Sequence, residues 1–177
     1  MELQAAVLSV LMGLTPSKWD TGAPAARRSR LEPVSDAIAL ASRDPQEAAI
    51  LIALGDAESH FAEYVGAGCE EVPEGAANCD GGKARSYWQA WQSACPAAWK
   101  LPRGSQDSVY AFADCAIRRF RGALSRCREQ TTLGYWAGGF SGYRQLSRCS
   151  WRPAVSRANA MHVKHSLLMR LIAVEER

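Results

Sequence analysis

Glu58 closes an otherwise apolar run, with Leu51, Leu54 and Phe61 on its helical face, seven and four residues before it and three after it. Burial on such a face disfavours the charged carboxylate, and the carbonyl end of a helix pushes the same way. A carboxylic acid kept protonated near neutral pH can hand its proton to a leaving oxygen, which is what glycosidic cleavage requires. The competing role is an ordinary glutamate reaching solvent at a helix end. Most glycosidases add a second carboxylate. Glu70, Glu71, Glu74 and Asp80 all follow in one polar segment. Asp80 leads these candidates because Gly81 and Gly82 beside it permit close approach of a polymer, although each of the four also suits a solvated turn.

The elements that must hold these residues are mostly helical. Asp44 as N-cap, Pro45 at the first helical position and Glu47 three residues after the cap form a capping box. Ile50, Leu51, Leu54, Ala57 and Phe61 then recur at helical spacing, so a buried helix is expected from about Pro45 to Phe61. From Gly66 to Gly82 the pattern breaks into GAGCEEVPEGAANCDGG, a loop or small hairpin excursion. Helices are expected to resume over about 84–93, after Ser105 with Val109, Phe112, Ala113, Ala116, Ile117, Phe120 and Leu124 on one face, and over about 153–174. Upstream, residues 31–42 read as a helix and 15–30, rich in Pro, Gly, Ser and Arg, as a linker. The apolar stretch from Ala5 to Leu14 is too short to span a bilayer and reads as a helix packed on the domain. The expected fold class is therefore mostly α with one irregular excursion. Residues 1–30 form an N-terminal helix and linker, and 31–177 the main domain.

Three segments carry a resemblance. Glu58-Ser59-His60-Phe61 resembles the E-S-x-F signature of lytic transglycosylases and goose-type lysozymes, members of the lysozyme-like superfamily. Tyr87-Trp88-Gln89 resembles the end of that family's G-[LI]-[MF]-Q element, with Ser86 where the family has Gly. Tyr135-Trp136-Ala137-Gly138 resembles its Y-N-A-G segment, with Trp136 in place of Asn. The resemblance covers about residues 31–150 and implies a lysozyme-like helical domain that cleaves the β-1,4 glycosidic bond of peptidoglycan. It implies Glu58 as the catalytic acid and Ser59 beside it. It further implies Tyr87, Trp88, Gln89, Tyr135 and Gly138 along the glycan, with Tyr135 and Trp88 foremost among the aromatics that could stack on sugar rings. Asp80 would serve as base in a hydrolase. In a lytic transglycosylase the substrate's own 6-hydroxyl attacks, and one acid suffices. The alternatives from other classes are a catalytically silent wall-binding module and a structural part of an envelope-crossing machine such as a phage tail.

Composition bounds these readings. With 177 residues, 47% hydrophobic and 22% charged, the chain can bury a real core. A net charge of +3 comes from dispersed arginines without a dense basic stripe, so no nucleic-acid partner is expected; peptidoglycan glycan strands are the expected partner. No C-x-x-C pair occurs among the six cysteines, and His60, His162 and His165 are few and scattered. No metal and no cofactor are implied. An even cysteine number suggests disulfides and an oxidising compartment, with Cys69–Cys79 the preferred local bridge; six reduced, buried thiols are the alternative. No Lys or Arg precedes the first apolar stretch, so no clear signal peptide is read. The expected location is periplasmic, extracellular or virion-delivered.

Overall fold

The computed structural model describes residues 2–20, 22–76, 79–144 and 148–174. Its centre is α3 (Pro45–Ser59), buried continuously from Ala48 to Gly55. A helix apolar on all sides needs neighbours on all sides. These are α1 (Leu3–Gly13), α2 (Pro24–Ala41), α6 (Gln106–Cys127) and α8 (Pro153–Val174), each packed against α3. Asp44 opens α3 by accepting from the Glu47 amide at 2.9 Å, and Glu47 accepts from the Arg43 amide at 2.7 Å. The Glu47 carboxylate also binds Arg121 of α6 at 2.7 and 2.5 Å. Burial pushes Glu47 up, but hydrogen bonds from Arg121 and the Arg43 amide, together with the charges of both arginines, hold the carboxyl below its ordinary range. The start of α3 is thereby tied to α6.

The fold is mostly α, with a single two-stranded hairpin among the described residues. α2 starts seven residues earlier than the apolar spacing indicated. Polarity made residues 24–30 look like linker, yet their arginines are engaged. Arg27 donates to the carbonyls of Leu11, Met12 and Leu14 at 3.0–3.2 Å, adding to the Leu14 amide bond on the Leu11 carbonyl at the end of α1. Arg30 binds Asp20 at 2.8 Å and the Phe61 carbonyl at 2.5 Å. α1 packs on α2 and α8, with Ala6, Val7 and Leu11 fully buried.

The helix expected over 84–93 is absent. β1 (Ala84–Arg85) and β2 (Ala90–Trp91) pair antiparallel, Ala84 opposite Trp91, around a four-residue turn whose ends, Ser86 (φ 66°) and Gln89 (φ 47°), are left-handed. Tyr87 and Trp88 at the tip are 2% and 1% exposed. Neighbouring helical residues point about 100° apart, so sinking both rings into one core favours a turn, and tertiary packing overrides local preference. The Trp88 indole donates to the Leu51 carbonyl at 3.0 Å, and Tyr143 donates to the Trp88 carbonyl at 3.2 Å.

Ahead of the hairpin lie the short α4 (Glu63–Gly66) and α5 (Cys79–Gly82), the latter a single turn with positive φ throughout (52°, 54°, 69° and 80°). A 3-10 turn (Ala98–Lys100) and α7 (Tyr135–Arg144) complete the order. Disulfides join Cys69 to Cys79, Cys95 to Cys115 and Cys127 to Cys149. The first is the local bridge expected from sequence, and such bonds belong to proteins that mature under oxidising conditions. Among the described residues no helix is long and apolar enough to cross a membrane.

Candidate functional site

α3 stops directly after Glu58 for local reasons. His60 and Phe61 both adopt left-handed backbone, each with φ 50°, and this turns the chain back under the helix. Ser59 Oγ holds the reversal by donating to the Gly55 carbonyl at 2.9 Å and accepting from the Phe61 amide at 3.1 Å. The Phe61 ring lies flush on Gly55, where an added Cβ would sit 2.3 Å from ring carbon Cζ. Gly55→Ala is accordingly expected to lower unfolding free energy by about 1–3 kcal/mol, the usual cost of overpacking. Chemical denaturation checks this; a loss below about 0.5 kcal/mol, the scatter of surface substitutions, would show that Phe61 does not fix the turn.

The Glu58 side chain is 8% exposed, but its setting is not the apolar one expected from the sequence. Arg157 on α8 donates to Oε1, and Arg144 at the end of α7 approaches Oε2 at 3.9 Å. Arg157 is also mostly buried and lies over the Trp151 ring at 4.6 Å from its centroid. Beside them, burial holds the Tyr143 phenol far above its ordinary range.

Glu58 opens on a cleft of about 1070 Å³, lined also by Asp80, Lys83, Trp88, Gln89, Trp91, Ser93, Ala94, Arg119, Tyr143 and Arg144. The structure thus brings together Glu58, Asp80, Trp88 and Gln89 from the residues singled out in the sequence. Asp80 is exposed on the left-handed α5 turn. The Gln89 amide donates to the Ser86 carbonyl at 3.1 Å.

The other residues are placed differently. Ser59 is engaged in the helix-ending turn. Tyr87 is buried against Phe61, ring centroids 5.3 Å apart, and lines a separate narrow pocket with Gly66, Arg85 and Arg103. Tyr135, 51% exposed, starts α7 edge-to-face with Trp136 and is not in the cleft lining. Gly138 is buried where α7 meets α6; an added Cβ would lie 2.7 Å from Thr131 Cγ2. Glu70, Glu71 and Glu74 are exposed and outside the lining.

Trp91 and the cations Lys83, Arg119, Arg144 and Arg157 escaped the sequence reading as site residues. Trp91 had a signal in the cluster of aromatics around the hairpin. The cations had none, because their convergence depends on where α6, α7 and α8 pass relative to Lys83, which lies just before β1. Among the described residues no group of three or more His, Cys, Asp or Glu side chains is placed to hold a metal ion. Comparisons with protein-family models, curated proteins and solved structures find no match to this chain.

Proposed function

We propose that this protein cleaves the β-1,4 glycosidic bonds of bacterial peptidoglycan, with Glu58 delivering a proton to the leaving oxygen. The observation that carries the reading is convergence on one cleft. Glu58 comes from the E-S-x-F segment, Trp88 and Gln89 from the hairpin segment, and Tyr143 and Arg144 from the helix that begins with Tyr135-Trp136-Ala137-Gly138. The first two motifs thus meet through their own residues and the third only through the helix it begins, since Tyr135 and Gly138 lie outside the lining. The volume of about 1070 Å³ lies at the upper end of small-molecule pockets, roughly 300–1,000 Å³, and suits more than one sugar ring. Lys83, Arg119 and Arg144 on its walls suit an anionic envelope polymer.

The contact between Glu58 and Arg157 adds a step. For Glu58 to deliver a proton to the scissile oxygen this contact must open, and a glycan entering the cleft beside it is the proposed trigger. Hydrolysis and transglycosylation both use this acid and differ in the nucleophile, a water activated by Asp80 or the 6-hydroxyl of the sugar itself. The site of action is the wall, reached from the periplasm, from outside the cell or with a virion. The oxidised cysteines support the first two. Mass spectrometry of digested peptidoglycan tests the reading: soluble fragments with reducing ends identify a hydrolase, and 1,6-anhydro ends a transglycosylase. Co-sedimentation with cell walls without fragment release would replace the enzyme by a silent wall-binding module.

A further inference from the structure

We infer that Trp91 is the stacking floor for a pyranose ring in this cleft, and that Asp80 is a positioning residue acting through Trp91. The inference rests on the cleft being a glycan site and assigns parts of it that the motifs do not reach.

Of the six tryptophans, Trp91 alone is strongly exposed, at 47%, and it lies on the cleft. A large aromatic face left in water beside a cleft is a contact surface awaiting a partner. This one is also held. Its backbone pairs with Ala84 in the hairpin, and its indole N–H donates to Asp80 Oδ2 at 3.2 Å. Asp80 in turn sits in the left-handed α5 turn, whose first residue, Cys79, is bonded to Cys69. The ring is thus fixed at its backbone and at its polar edge, so a ligand meets a surface that needs little ordering.

The chemistry around the ring selects the ligand class. A pyranose offers an apolar C–H face for the indole and hydroxyls at its rim. Asp80 keeps a second oxygen as acceptor, and the Gln89 carboxamide lies on the same cleft. A nucleobase would stack equally well, with its phosphate between the Asp80 carboxylate and the cations Lys83, Arg119 and Arg144, so single-stranded DNA is the competitor in the test.

Bracket and base make different demands of residue 80. Asparagine keeps a side-chain oxygen for the indole N–H and cannot act as a base, whereas alanine removes both functions. The test uses the full oxidised chain, binding of tetra-N-acetylchitotetraose by calorimetry, and kcat and KM on purified cell walls. Trp91→Ala is expected to weaken binding and raise KM by about tenfold, in line with the worth of a good aromatic contact, with kcat close to wild type. Asp80→Ala should weaken binding and raise KM by as much, the Asp80→Ala/Trp91→Ala pair should add little to either, and Asp80→Asn should restore near-wild-type binding and KM. If the wild type binds and Trp91→Ala binds as tightly, the stacking floor is wrong and the cleft reading stands. A collapse of kcat in Asp80→Asn with unchanged KM makes Asp80 the base as well as the bracket, whereas a KM in Asp80→Asn as high as in Asp80→Ala overturns the bracketing role. Single-stranded DNA competing for the cleft better than the oligosaccharide overturns the ligand class, and a wild-type protein that binds no glycan overturns the cleft reading with it.

Discussion

Glu58→Gln is expected to leave a folded protein whose release of soluble fragments from cell walls falls by two orders of magnitude or more. General-acid catalysis contributes about 10²–10⁴-fold, and the amide cannot supply the proton. The substitution is chosen for what it keeps. Glutamine retains an oxygen in reach of the Arg157 guanidinium, so the link between α3 and α8 survives in weaker form. Glu58→Ala would instead leave a mostly buried arginine without its partner, a change that typically costs about 3–5 kcal/mol and would confuse loss of chemistry with loss of fold. Fragment release is to be measured beside a thermal melt of the same preparation. Near-wild-type release by a folded Glu58→Gln protein would remove Glu58 from the chemistry and leave it as one half of an ion pair between helices.

Full reduction of the three disulfides is expected to lower the melting temperature by roughly 20 °C or more. The bridges close loops with sequence separations of 10, 20 and 22 residues. Loop-closure entropy assigns each about 3 kcal/mol, together about 9, against a total stability of about 5–15 kcal/mol for a typical domain. Scanning calorimetry with and without a reductant, thiols blocked afterwards, checks it. A shift below about 5 °C would mean that the helical core around α3 carries the fold by itself.

Elements that depend on their own residues were legible in the sequence. α3 announces itself through Asp44, Pro45 and Glu47 and a continuous apolar run, and α6 through Ser105, whose Oγ caps the Ser108 amide at 3.2 Å. The excursion after α3 and the Cys69–Cys79 bridge follow from glycine-rich spacing. What depends on partners far along the chain was hidden. The hairpin replaces an expected helix because Trp88 reaches the Leu51 carbonyl, 37 residues earlier. α2 begins early because Arg27 finds the end of α1.

The same divide runs through the site. Glu58 and Gln89 were found by type and order, but the guanidinium on Glu58 comes from 99 residues downstream. Gly138 shows the opposite error. Its local pattern fits a sugar-lining segment, while its actual surroundings are Thr131 and Cys127, so its small size serves helix packing.

The placement of the three covalent staples also governs how the molecule would respond to force. Every cysteine lies at or beyond residue 69, and the last is Cys149. α1, α2, α3 and the C-terminal α8 are outside all the closed loops. Tension applied to the two ends would peel these helices away against packing alone, while the loops stayed shut. From the C-terminal end α8 would go first, taking with it the arginine that holds Glu58. Trp91 and Asp80, in the open segment between the first and second loops, have no staple of their own either, and of the cleft lining only Tyr143 and Arg144 lie within a closed loop. Glu58, Asp80 and Trp91 would therefore part while all three loops were still closed, and catalysis would end under load well before the chain reached full extension.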